Sequence, residues 1–176
     1  LFAASILLIL GAFTLGLHAQ PGAPAAPAIR TLAEIDPGTP LIPHPGNGAT
    51  DGYTPLILVA NPGYYYLTQN LDVPSGYEGI LIMVGGVHID LRGFSIRGTT
   101  GSGSGIRIAS PLKGNIIIRN GIVTLMDGHG IDAQFGRNML INNIAASANA
   151  GAGIMLNQGR VRDCVSRANG TDGFFA

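Results

Sequence analysis

Few residues in this 176-residue chain could do chemistry: it holds ten acids, ten bases, four His and a single Cys. Arg107 and Asp132 each follow a Gly-Ile step, and His129 lies three residues ahead of Asp132 in Asp127-Gly128-His129-Gly130-Ile131. An imidazole near a carboxylate is material for general acid–base catalysis, although glycosidic hydrolysis asks for two carboxyl groups. A second trio, His88, Asp90 and Arg92, alternates along Val87–Arg92 and so shares one outer strand face. No Ser, Thr or Cys nucleophile joins it in the alternation, so the trio reads as a solvated polar face rather than a triad. Tyr64, Tyr65 and Tyr66 could stack on sugar rings, with some of them packing into a cap. The lone Cys164 can form neither an internal disulfide nor a thiolate zinc pair. It replaces Ile144 of the preceding unit, as a small buried hydrophobe would.

Formal charge is zero and charged residues are 11% of the chain, which leaves no general electrostatic drive toward nucleic acid. The 46% hydrophobic content, without Trp, implies a core packed from aliphatic side chains. The charge is unevenly distributed. Residues 79–176 carry eight Arg and one Lys against five Asp, while residues 20–78 carry one Arg against five acids. A mildly cationic C-terminal part suits an acidic polysaccharide.

These residues need elements to position them. Leu1–Leu17 is an apolar run leading to His18-Ala19, which reads as a signal peptide over 1–19, followed by a Pro/Ala linker over 20–28. The expected location is therefore secreted, periplasmic or cell-surface, with no membrane attachment after cleavage. Residues 29–78 read as an N-terminal cap with the first strands, and helix is expected only in a short piece near Thr31–Ile35. Asn61-Pro62-Gly63-Tyr64 fits a type II turn, with Pro presetting φ and Gly accepting positive φ. Residues 79–176 carry a repeat: Gly79-Ile80, Gly105-Ile106, Gly130-Ile131, Gly153-Ile154 and Gly173-Phe174, at spacings of 26, 25, 23 and 20.

Within that repeat Asn120, Asn143 and Asp163 lie ten positions ahead of the Gly, and Ile118, Ile141 and Val161 twelve ahead. Asn149 and Asn169 lie four ahead. Units this short cannot bury their own apolar side, but stacked units can, each adding a layer about 4.8 Å thick. Ile80, Ile106, Ile131, Ile154 and Phe174 then form one inward ladder, and Ile118, Ile141 and Val161 another. The Asn positions fall at bends, where Asn tolerates left-handed φ and amides bond from layer to layer. The residue after each Ile points outward, giving Leu81, Arg107, Asp132, Met155 and Phe175. An exposed Arg107–Asp132 ion pair in that row would stabilise by under about 1 kcal/mol.

The Gly-Ile steps, the Asn bends and the stretch NPGYYYLTQNLDVPSGYEGILIMVGGVHIDLRGFSIRG over Asn61–Gly98 resemble the right-handed parallel β-helix proteins, the pectate-lyase-like superfamily, in their exported bacterial form. The resemblance covers about Ile57 to Ala176. It implies an all-β solenoid behind an N-terminal strand-rich cap, and right-handed crossovers agree with the general preference. Asp127-Gly128-His129-Gly130 is similar to the GHG motif of polygalacturonases, but the acidic cluster that should precede it is absent. Asp172-Gly173 repeats the Asp-Gly bend without a His. Two functions follow. In the first, a secreted or surface module presents a face to polysaccharide or a cell-surface glycan without catalysis, with Arg107, Asp132, Tyr64 and Tyr66 as contacts. In the second, the segment belongs to a polysaccharide lyase or glycoside hydrolase whose active residues lie mostly downstream, with His129, Asp132 and Arg107 as catalytic candidates. No cofactor or metal site is expected, calcium entering only under the lyase reading. Gly173-Phe174-Phe175-Ala176 opens a coil without a polar cap, so the solenoid is expected to continue past Ala176.

Overall fold

The structure is a computed structural model that describes residues 38–44, 52–109 and 113–175. The expected signal peptide, linker and short helix lie outside the described residues, as does much of the cap.

The described chain is all strand and bend. It lays down β1 (Thr39–Leu41), then a coil of β2 (Thr54–Val59), β3 (Gly63–Leu67) and β4 (Leu71–Val73). The next coil is β5 (Tyr77–Ile82), β6 (Val87–Asp90) and β7 (Ser95–Gly98). In the two that follow, a short strand precedes a long one: β8 (Ile106–Ile108) with β9 (Lys113–Thr124), and β10 (Ile131–Ala133) with β11 (Gly136–Ser147). β12 (Ile154–Leu156), β13 (Gly159–Arg162) and β14 (Val165–Arg167) follow, and β15 (Phe174–Phe175) opens one more.

Every strand pairing is parallel, between one coil and the next. The first face stacks β2-β5-β8-β10-β12-β15, and the second stacks β1-β3-β6-β9-β11-β13. β4, β7 and β14 join the far halves of β9 and β11 as a third face, so the long strands turn a corner midway. This is a right-handed parallel β-helix.

Both inward ladders form in the expected register. Ile80 pairs with Ile106, Ile106 with Ile131, Ile131 with Ile154 and Ile154 with Phe174. Ile57 adds a rung ahead of Ile80 that the Gly-Ile spacing does not reveal, because Leu56 stands where later coils have Gly. Ile118 pairs with Ile141, and Ile141 with Val161. Ile80, Ile106, Ile131 and Ile154 are fully buried, each contributing about 1.5–3 kcal/mol of apolar burial. The Gly before each Ile is sterically required: a Cβ on Gly105 would lie 2.7 Å from Gly130 O, and one on Gly153 2.7 Å from Gly173 O. From Gly79 to Gly153 the backbones at this corner stack too closely for a side chain.

The bends match the expectation at one corner and differ at two. Asn120, Asn143 and Asp163 have φ of 60°, 53° and 52°, and Asn143 Nδ2 donates to Asn120 Oδ1 at 3.0 Å. At the next corner the left-handed residues are instead Leu125, Ala148 and Ala168, one position before the Met126–Asn149–Asn169 column. The Asn149 side chain turns inward, where its Oδ1 accepts Met126 N and its Nδ2 donates to Asn169 Oδ1. Asn169 Nδ2 in turn donates to Ala146 O and Ser166 Oγ. Its side chain belongs to the corner rather than to solvent. The expected type II turn at Asn61–Tyr64 is not formed. Gly63 has φ 154°, far from the turn value of about 80°, and its N–H donates to Gly86 O one coil on. β2 and β3 occupy different faces, and the Pro-Gly step is the corner between them.

Candidate functional site

Three side-chain groups on the outside of the stack could do chemistry. The first lies on the second face, where outward columns run Tyr64–His88–Ile117–Leu140–Arg160 and Tyr66–Asp90–Arg119–Asn142–Arg162. The inward and outward alternation of Val87–Arg92 holds, and its outer members differ in exposure: Arg92 is exposed as expected, His88 is half-buried, and Asp90 is not solvated. Asp90 is buried, and its carboxylate accepts Tyr64 OH at 3.1 Å, Arg92 N at 2.9 Å and Arg119 Nε at 2.8 Å. Asn120 Nδ2 reaches both of its oxygens, at 3.1 and 3.2 Å. Burial alone would raise the Asp90 pKa, but the bonds from Arg92 N, Asn120, Arg119 and Tyr64 outweigh it and hold the carboxyl below its usual value. The His88 ring meets Tyr64 edge-on with centroids 4.7 Å apart, and its buried Nε2 has no hydrogen-bond partner. Burial and the Arg119 charge lower its pKa against an opposing effect of Asp90, and the net shift favours the neutral ring. A carboxylate this fully engaged is a structural anchor and a poor base. The tyrosines are also committed: Tyr66 carries the Arg92 guanidinium 3.5 Å over its ring, and Tyr65 turns toward the core with its OH donating to Asn61 O.

The second group lies on the first face. The outward row Leu81–Arg107–Asp132–Met155–Phe175 has the expected register, but Leu81, Arg107 and Asp132 are 1%, 8% and 6% exposed. The row is not a flat solvated surface, because its middle shares a cavity of about 210 Å3 with Tyr53, Glu78, Ser104 and His129. His129, Asp132 and Arg107 are thus brought together. The pairing differs from expectation: Arg107 Nε and Nη2 grip Glu78, the latter at 3.0 Å, while Asp132 accepts only Gln134 N at 3.3 Å and Gln134 Nε2 at 3.4 Å. Glu78 reaches Arg107 because it stands two residues before Ile80, as Ser104 and His129 stand before Ile106 and Ile131. That shared offset was the signal by which the sequence could have revealed it.

The third group had no sequence forecast. Asn115, Asn138 and Gln158 form an amide column beside Ile117, Leu140 and Arg160, with Asn138 Nδ2 donating to Asn115 Oδ1 at 2.6 Å. Together with Arg162 they line an open cleft of about 740 Å3. Among the described residues no carboxylate lines it, and Arg160 and Arg162 make no ion pair. Cys164 is half-buried with its Sγ against Arg162 O, and burial pushes its thiol pKa up, in keeping with a packing role. Among the described residues, no three His, Cys, Asp or Glu side chains gather as a metal site.

The stacked parallel coils and their Gly and Asn corners define a β-helix solenoid. The family model for the right handed beta helix region matches residues 57–176, and the chain belongs to that family. No curated protein and no solved structure matches the chain.

Proposed function

We propose that this β-helix is a secreted or surface module that holds an acidic polysaccharide along its second face without acting on it chemically. The observation that carries the reading is the cleft in which Asn115, Asn138 and Gln158 run beside Arg160 and Arg162 with no carboxylate in the lining. Amides bond hydroxyls in either direction, and guanidinium groups bond carboxylates in pairs. From β3 to β13 the face spans four layer steps, about 19 Å, room for several sugar units along the helix axis. The alternative, part of a lyase or hydrolase, draws on the cavity that gathers His129, Asp132 and Glu78. Glu78 is neutralised by Arg107 there, so one carboxylate is left where acid–base hydrolysis uses two.

Affinity electrophoresis through polygalacturonate and through neutral dextran tests the proposal. Retention by polygalacturonate alone is expected, weakening as salt rises and falling at least about tenfold in the Arg160→Ala/Arg162→Ala double variant. Equal retention in dextran, or full retention of the double variant, defeats it. Release of unsaturated or reducing ends, with or without calcium, would transfer support to the enzyme reading.

A further inference from the structure

We infer that the cavity on the first face is a separate binding site for one small neutral polyol, a molecule of the size and chemistry of a single cyclitol or pyranose ring. The inference rests on the hydrogen-bond state of its walls, independently of the second-face reading. Asp132 is 6% exposed, yet among the described residues its carboxylate has only two long bonds, both from Gln134, and no ion pair. A buried carboxylate is ordinarily served by more and shorter donors. Across the same cavity His129 Nδ1 accepts Ala152 N–H at 2.9 Å, which leaves the ring hydrogen on Nε2, an N–H that donates to no side chain or carbonyl among the described residues and stays open to a ligand. Ser104 Oγ accepts His129 N, so its own O–H remains to be donated. The walls thus present an acceptor short of donors and two donors short of acceptors.

A hydroxyl group both donates and accepts, so adjacent hydroxyls on one ring can satisfy Asp132, His129 and Ser104 together. A cation would meet the Arg107 guanidinium that lines the cavity, and an anion would meet Asp132 and Glu78. Neutral and polar is the class that conflicts with neither. The Tyr53 ring lies against Gly103, with ring carbons 2.9–3.1 Å from where a Cβ would be, and gives one apolar wall for the C–H face of a ring. The volume of about 210 Å3 equals about seven waters at ~30 Å3 each, enough for one ring and too little for a chain of them.

Titration of the whole chain with myo-inositol, followed by 15N–1H NMR, tests this. The His129 ring signal and the Gly103 and Ser104 amides should shift saturably, with Kd on the order of 1 mM. Asp132→Asn, which keeps the shape, should weaken binding at least about tenfold, and Ser104→Ala should weaken it less. The Arg160→Ala/Arg162→Ala variant should bind inositol as wild type does, even if it loses polygalacturonate. Matching circular dichroism of all variants separates lost binding from lost fold. No saturable shift up to the order of 100 mM inositol, undiminished binding by Asp132→Asn, or preference for putrescine or acetate at these residues would overturn the inference.

Discussion

Replacing Asp90 by Asn isolates what one buried carboxylate contributes to the stack. The variant keeps the volume, removes the charge, and turns one acceptor oxygen toward the Tyr64, Arg119 and Asn120 donors as an NH2 group. A hydrogen bond to a charged group contributes about 1.5–3 kcal/mol, and a neutral one about 1. The Arg119 side chain is 38% exposed, so its ion pair with Asp90 is screened and counts at the low end. Some bonding survives through the remaining oxygen, so a net loss of about 2–3 kcal/mol is expected. Urea unfolding with an unchanged slope is the assay, since an altered slope would mean that the compactness of a state had changed.

The pH dependence gives an independent reading of the same group. The folded Asp90 carboxyl titrates below its usual value of 3.8. Its contribution is therefore complete above the unfolded value, about 3.9, and disappears as pH falls through the lower folded one. The gap between wild type and Asp90→Asn should be level from pH 7 to about 5 and narrow only below about 4. A gap under about 0.5 kcal/mol at pH 7, or one undiminished at about pH 2, would refute the assignment of Asp90 as an anchor.

On the first face, Ile131→Asp places an unpaired charge between Ile106 and Ile154 and should cost about 4–5 kcal/mol, close to complete unfolding in a thermal scan. Arg107→Ala takes the guanidinium from Glu78, which is 1% exposed, and should cost about 3 kcal/mol, well above the surface-pair value expected from sequence. A loss under 1 kcal/mol in the same scan would return Arg107 to the solvent. Leu125 holds φ 58° while 44% exposed, so Leu125→Asn should stabilise by about 0.5–1 kcal/mol. A lowered melting temperature for that variant would mean that the Leu125 side chain has a packing role.

The inward ladders were legible because parallel stacking in register makes the chain repeat its own core: Ile106 and Ile131 occupy one environment, and selection for that environment writes the same residue at a fixed offset. Where a coil departs from the common pattern, the signal fails. Leu56 in place of Gly hid Ile57, and an uneven corner placed left-handed φ on Ala148 when Asn149 was the conspicuous residue. Outward columns carry register but not exposure. The row through Arg107 was placed correctly along the chain and wrongly in solvent, because two groups that the row itself does not contain cover it: Glu78, at the offset two residues before Ile80, and Tyr53, from the coil ahead of the first Gly-Ile step. The cluster around Asp90 was half visible as an alternating strand. Its decisive partners, Tyr64 and Arg119, come from the layers on either side, at offsets of 26 and 29 residues.

The two outer faces follow one electrostatic plan with opposite remainders. On the second face Asp90 neutralises Arg119 in the middle of the stack, so the guanidinium charge that lines the cleft lies at Arg160 and Arg162 on β13. On the first face Glu78 neutralises Arg107, and the group left short of partners is the Asp132 carboxylate. A pair held across neighbouring coils fixes two layers relative to each other, and the remaining charge is then presented on a rigid frame at low cost in side-chain order. The ligands proposed for the two faces therefore differ in class, since an anion is attracted by Arg160 and Arg162 and repelled by the Asp132 carboxylate. Substitutions at one face should leave binding at the other unchanged, because no residue described here lines both the cleft and the cavity.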